Sequence, residues 1–299
     1  MATLREIRQR IGGIKNIQKI TKAMKMVASA KLRRAQESIL ATRPYAQKMG
    51  SLLSHLVSKL DPSVHPLFAP RDVRSVALVV ITSDRGLCGA FNTNVLRAAA
   101  QEYERLKSEV GASGGSVHVV AIGKKGSDFF TKRGYPVIDK YPGIFTNLHW
   151  GIARTIMDKL TASYAAGTLD RVVVIYNEFK SVIQQRIVRE QLLPVPPEQL
   201  QEPEPPTSRA QVEYIYEPTG EAIVSALVPR HLSYQMWRVL LESNAAEQAA
   251  RRTAMDNATS NASELIGDLT LSYNKARQAS ITKELLEIVS GAEALTQAE

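Results

Sequence analysis

Cysteine is almost missing from this sequence, with Cys88 the single example in 299 residues. One thiol cannot close an internal disulfide, so the chain is no disulfide-stapled scaffold and suits a reducing compartment. Long apolar runs are missing too. A bilayer span needs roughly 18 uncharged apolar residues, and the longest candidate is the short segment Val76–Ile81. Histidines are few and scattered: His55, His65, His118, His149 and His231 share no spacing. That excludes the usual metal-ligand patterns and leaves Cys88 without a sequence partner to activate it as a nucleophile. Neither a Gly-Lys-Ser/Thr ending nor a three-glycine dinucleotide fingerprint occurs. Catalysis by this chain is unsupported, and no cofactor or metal is expected.

The N-terminal end lacks acid. In the first 34 residues Arg5, Arg8, Arg10, Lys15, Lys19, Lys22, Lys25, Lys31, Arg33 and Arg34 face one acidic residue, Glu6. The whole chain carries a formal net charge of +9 and a pI near 9.6. Such charge implies an acidic partner: nucleic acid, an anionic membrane surface or an acidic protein. Nucleic-acid modules usually interleave stacking aromatics with their basic residues, and no aromatic precedes Tyr45. The charge pattern therefore favours an acidic protein lining, with a solvated face as the alternative. A basic, acid-poor start also fits a transit peptide. Against that, Ile7, Ile11, Ile14, Ile17, Thr21, Met24 and Ala28 recur at three- and four-residue steps, the stripe of a structural helix. Without a targeting signal the expected compartment is the cytoplasm.

What is present is a core and a pattern. At 44% hydrophobic residues and a mean hydropathy of -0.15, the chain can bury one or two domain cores. A helix is predicted from Thr3 to Leu60, with a kink plausible at Pro44. Between Val73 and Tyr216 the runs RSVALVVIT, SVHVVAIG and DRVVVIYNEF alternate with the amphipathic stretches Asn94–Glu109 and Leu148–Tyr164. Continuous apolar strands alternating with helices predict a parallel, doubly wound sheet. SVIQQRIVREQLLPV and QVEYIYEP read as later strands or a hairpin, around an extended Pro/Glu-rich loop at 194–209. From Glu221 onward the helical pattern returns, with no proline after Pro229. About 60 helical residues at ~1.5 Å each make a rod on the order of 90 Å, which needs a partner. The N-terminal helix is that partner, because two helices that enter and leave one domain run antiparallel. Leu240, Ala246, Ala250, Thr253, Asn257, Asn261, Leu265, Leu269, Ala276, Ala279 and Leu286 are the predicted seam. The small residues around it predict a slender shaft. The domain boundaries are accordingly 1–60, 61–217 and 218–299.

The most enzyme-like segment is Thr82-Ser83-Asp84-Arg85-Gly86-Leu87-Cys88-Gly89-Ala90-Phe91-Asn92, where a glycine turn joins a strand to a helix. Its spacing matches no nucleotide fingerprint. It reads as a tight turn with Asp84 and Arg85 paired and Cys88 buried. Near the C-terminus, Arg277 and Gln278 are either a solvated helix face or hydrogen-bonding groups for a surrounding protein. Residue chemistry alone leaves these two open.

IRQRIGGIKNIQKITKAMKMVASAKLRRAQ near the start and LSYNKARQASITKELLEIVSGAEAL near the end closely resemble the two signature helices of F-type ATP synthase gamma subunits, and TSDRGLCGAFN resembles that family's central turn. The resemblance implies an α/β protein, a long antiparallel coiled coil of the terminal helices plus a central Rossmann-like domain. It implies a non-catalytic rotor shaft inside a hexamer of alpha and beta subunits, with the central domain against epsilon and the membrane c-subunit ring, and no nucleic-acid partner. The match places Met24 and Lys25 at the acidic lever of beta. It places Arg277, Gln278 and Thr282 at a beta loop near the upper bearing, and Tyr214 and Glu217 at the foot against the c ring and epsilon. The implied location is peripheral, on the cytoplasmic face of a bacterial cell membrane. The family's plastid members carry an inserted cysteine pair, and a chain with Cys88 alone cannot use that switch.

Overall fold

The computed structural model describes residues 3–59, 66–68, 71–111, 114–182, 184–196, 217 and 219–296. Helix α1 (Leu4–Lys59) opens the chain and contains Pro44. Then follow β1 (Ser75–Ile81), α2 (Phe91–Gly111), β2 (Ser116–Ile122), α3 (Lys124–Lys132), β3 (Val137–Tyr141), a 3-10 turn at Ile144–Thr146, α4 (Trp150–Ala165), β4 (Arg171–Phe179) and β5 (Gln185–Leu193). Helix α5 (Gly220–Thr296) closes it, with Pro229 in its interior.

The strands form one sheet in the order β3-β2-β1-β4-β5. β1 pairs parallel with β2 and with β4, and β2 parallel with β3. β5 folds back antiparallel on β4, so SVIQQRIVREQLLPV is the return arm of a hairpin. The stretch QVEYIYEP lies outside the described residues but for Glu217, as does most of the Pro/Glu-rich loop. β3 and α3 were not singled out by composition. β3 alternates half-buried and exposed side chains over VIDKY and sits at the sheet edge, so it lacks the continuous apolar run of β1, β2 and β4.

Side-chain alternation along β1 explains the two layers. Val76, Leu78 and Val80 join Val95, Ala99 and Leu106 of α2 and Phe130 of α3 in one core. Ala77, Val79 and Ile81 point the other way, into a core with Ile156, Met157 and Leu160 of α4. That second core also takes Met49, Leu53 and Leu56 from α1 and Val224, Val228, Leu232, Met236, Val239 and Leu240 from α5. Each Val, Leu, Ile, Met or Phe among them, moved from water to full burial, contributes about 1.5–3 kcal/mol, so the sheet is held from both faces.

By contact the chain divides into two compact units, Met1–Val27 with Arg252–Glu299, and Ala28–Arg251. In the larger unit Leu32, Ala35, Ala245 and Ala249 form a cluster of small and medium side chains. In the smaller one the helical segments are antiparallel: Thr21 meets Thr259 at 2.8 Å between hydroxyls, and Lys25 meets Asp256 at 2.6 Å.

Burial fixes the seams. Along α1 the covered positions include Leu4, Ile7, Ile11, Ile14, Gln18, Thr21, Met24, Lys25, Ala28, Leu32 and Ala35, mostly at steps of three and four. This agrees with the expected stripe at most positions, but Gln18 replaces Ile17, which is 54% exposed. On α5 the covered positions include Leu240, Ala246, Ala250 and Thr253 of the expected seam and, further on, Met255, Thr259, Ala262, Ile266, Leu269, Tyr273, Ala276 and Ser280. The expected seam fails at Asn257, Asn261, Leu265, Ala279 and Leu286, which face outward. A heptad repeat allows only one register per pair.

Candidate functional site

Two places attract attention: the surface of the N- and C-terminal helical segments, and the turn after β1. In the turn the glycines make a filled knot. Thr82 Oγ1 donates to the Ile122 carbonyl and accepts from Gly126 N–H. Gly123, at φ +91°, follows β2 so closely that any Cβ would collide with the Thr82 carbonyl. Asn92, on the first turn of α2, accepts from Ser83 N–H at 3.0 Å and donates to Ser83 Oγ at 2.7 Å and to Cys88 Sγ at 3.2 Å.

The expected Asp84–Arg85 pair is not what holds Asp84. Its carboxylate accepts three backbone N–H groups: Lys124 at 2.9 Å, Gly143 at 2.7 Å and Phe145 at 3.1 Å. A carboxylate has room for several donors, and fixed main-chain amides hold it better than an exposed guanidinium would. Asp84 thus staples the start of α3 to the loop after β3. Cys88 is buried as expected, and burial pushes its thiol up from the ordinary value. A thiol held protonated is a poor nucleophile. Arg251 Nη1 donates to the Gly86 carbonyl, while its Nη2 pairs with Glu247 at 2.6 Å. Burial raises the Glu247 pKa, and the paired guanidinium opposes that rise. The turn is a joint between strand, helices and α5, with Thr82, Ser83, Asp84 and Asn92 hydrogen-bonded within the fold and Arg85 exposed.

The helical surface is different in kind. Arg5, Arg8, Arg10, Lys15, Lys19 and Lys22 are all exposed. Between them stand exposed Ile17, Ile20, Met26 and Val27, each more than half accessible. Met24 is half-buried, and Lys25 is engaged by Asp256 in a pair that remains open to solvent, with side chains 36% and 56% exposed. Arg277, Gln278 and Thr282 are exposed, and the Thr282 hydroxyl donates to the Gln278 carbonyl one turn back. Ile281, Leu285, Leu286, Ile288 and Val289 surround them, again exposed. Exposed apolar side chains interspersed with basic and amide groups are the composition that protein contacts use.

Of the remaining predicted residues, Glu217 is exposed just ahead of α5, and Tyr214 lies outside the described residues. Among the described residues no group of three or more His, Cys, Asp or Glu comes together to hold a metal. No described helix is long and apolar enough to cross a membrane. Sequence reasoning passed over a polar cluster under α5 at Arg238. Its only trace in the sequence is the one-turn spacing of Arg238 and Glu242, an ordinary pattern on an exposed helix.

A family model described as ATP synthase matches residues 3–295. The chain is 52% identical over 298 residues to a protein of Chlorobaculum tepidum named ATP synthase gamma chain, covering 99% of this chain and 100% of that one. It is 51% identical over 303 residues to a protein of the same name from Chloroherpeton thalassium, with 99% of each covered. Among solved structures it is similar to a chain of the Tetrahymena thermophila mitochondrial ATP synthase central stalk and c ring. There the TM-score is 0.57 and the identity 28%, over 80% of this chain and 99% of that one. Its fold is similar to that of a chain in the Euglena gracilis mitochondrial ATP synthase, with TM-score 0.68 and 23% identity over 98% and 94% of the two chains.

Proposed function

The chain belongs to the ATP synthase gamma-chain family, and from that premise we propose that it is the central rotor shaft of an F-type ATP synthase. It couples ion flow through the membrane c ring to conformational cycling of the catalytic beta subunits. It is a non-catalytic subunit; the chemistry of ATP belongs to its partners, the alpha and beta subunits of the hexamer, while epsilon and the c ring meet its other end. The observation that carries this reading is the antiparallel pairing of the α1 segment from Leu4 to Lys25 with the α5 segment from Met255 to Ser280 on a thin seam, with basic and apolar groups turned outward. Seam residues such as Ala262 and Ala276 keep the pair narrow, and what it does not bury itself is available to a sleeve around it.

A shaft acts by differential contact. Because its sides are unlike, it favours a different conformation in each beta subunit that it faces. Turning then exchanges their nucleotide affinities and drives product release. In this reading Met24 and Lys25 meet the acidic lever of beta. Lys25 can trade Asp256 for a carboxylate of beta at small cost, since a solvent-open ion pair is worth only about 0–1 kcal/mol. Arg277, Gln278 and Thr282 bind a beta loop near the upper bearing, where guanidinium and amide forks suit carboxylate and main-chain acceptors. Glu217 and Tyr214 belong to the foot, against the c ring and epsilon. The working place is peripheral, on the cytoplasmic face of a bacterial cell membrane, where contact with the c ring needs no span from the shaft itself.

The test is assembly. Mixed with matching alpha and beta subunits and Mg-ATP, the chain should co-elute as a large stoichiometric complex with ATPase activity above that of alpha and beta alone. Separate elution and no stimulation, with each protein shown to be folded, would refute the reading.

A further inference from the structure

A shaft that carries torque needs more than a greasy contact with the domain that drives it. The α5 residues Val228, Leu232, Met236 and Val239 pack on the sheet through apolar groups. Apolar burial is non-directional, so such a contact resists separation better than it resists turning of the helix about its own axis. Rotation is opposed by bonds that are directional and lie off the axis.

One cluster has that form. Arg238, midway along the packed part of α5, donates through Nη2 to Glu190 of β5 at 2.5 Å and through Nη1 to the Tyr176 hydroxyl of β4 at 3.2 Å. The Tyr176 hydroxyl donates to the other Glu190 oxygen at 3.1 Å, which closes the ring. Arg238 Nε is held by Gln235 at 2.9 Å, and Nη1 also reaches Glu242 at 3.3 Å, so the guanidinium is braced from its own helix on both sides. Tyr176 is fully buried, and the Arg238 side chain is 29% exposed. Burial opposes the charge on the guanidinium, but Tyr176, Glu190 and Glu242 outweigh it and raise its pKa, so Arg238 keeps its charge.

We propose that the hydrogen-bonded ring of Arg238, Glu190 and Tyr176 is the joint that passes torque between the sheet and α5, with Arg238 the positioning residue; the proposal rests on the shaft reading above. The geometry gives the reason. A guanidinium lies about 6 Å from the helix axis, so a turn of about 20° would displace its donors by about 2 Å. That is more than a hydrogen bond tolerates. Both bonds from Arg238 to the sheet would break together, while the Tyr176–Glu190 bond holds their acceptors in place, and the planar fork makes the lock geometric as well as electrostatic.

The experiment uses the chain assembled with its partners, held by the beta subunits, with a bead on a cysteine placed at exposed Lys107. Cys88 is buried, which leaves that thiol as the reactive one. Angular fluctuations in a nucleotide-arrested state report torsional stiffness. Arg238→Lys keeps the charge and loses the fork; Tyr176→Phe removes one corner of the ring with little change of shape. Removing Arg238 altogether would leave the part-buried carboxylates of Glu190 and Glu242 without their shared cation, so the apolar variant is paired as Arg238→Met with Glu190→Gln. All three should assemble and hydrolyse ATP within about twofold of the parent, while stiffness falls by about twofold or more. ATP-driven ion pumping into vesicles should fall with it. Parent-like stiffness in all three variants would overturn the joint alone. A parent chain that does not turn during ATP hydrolysis would overturn the shaft reading, and the joint with it.

Discussion

His231 sits buried near Arg238, and burial and that positive charge bring its pKa down from 6.5 to about 4. The unfolded chain binds the proton below about pH 6.5, the folded chain only below about 4. The contribution is therefore complete above pH 6.5 and lost as pH falls toward 4, by about 3 kcal/mol in total. Urea midpoints at pH 7 and pH 4.5 should show the chain losing stability and His231→Gln losing clearly less; equal losses would contradict the assignment. Neither the burial of this histidine nor the Arg238 ring was legible in the sequence. Both depend on what lies across from α5, and sequence spacing describes one element at a time. Cys88 was legible as a small apolar side chain in a tight turn, although its neighbour Leu87, which hydrophobicity alone would also bury, is 66% exposed. Asp84 was half legible. Its neighbour Arg85 offers a salt bridge on paper, but Lys124, Gly143 and Phe145 bring three amides that only the folded loops assemble.

At the scale of elements, the residue pattern gave the two long helices and four of the five strands, β1, β2 and β4 from their apolar runs and β5 from SVIQQRIVREQLLPV, and missed the edge strand β3. Register was less legible. Ile17 and Gln18 are both compatible with a three-or-four spacing, and hydrophobicity prefers the isoleucine. The heptad count set by Leu4, Ile7, Ile11 and Ile14 puts Gln18 in the seam and Ile17 outside, which makes sense if something else covers Ile17. Substitutions should separate the two sides. Ile17→Gln should change the thermal stability of the chain by less than about 0.5 kcal/mol. Ala249→Leu, in the fully buried cluster with Leu32 and Ala35, should cost about 1–3 kcal/mol through overpacking. Thermal melts of the isolated chain read both, and a large loss for Ile17→Gln would show the seam to be misplaced.

At the scale of the molecule, the chemistry is notable for where it is absent and where it is turned. The turn after β1, the one segment resembling a ligand loop, ties Thr82, Ser83, Asp84 and Asn92 into hydrogen bonds within the fold, whereas the helical exterior keeps basic and apolar groups outward. A chain with its donors and apolar side chains so arranged works through contact, and family membership says with what. The central claim is that the chain turns within its complex as ATP is consumed. The most direct measurement attaches a bead through the cysteine at Lys107 to the chain assembled with alpha and beta subunits, tethers the complex by beta, and supplies Mg-ATP. The account predicts stepwise rotation in one direction, with a rate that follows ATP concentration. ATP turnover by intact complexes whose bead stays fixed, or wanders equally both ways, would contradict it.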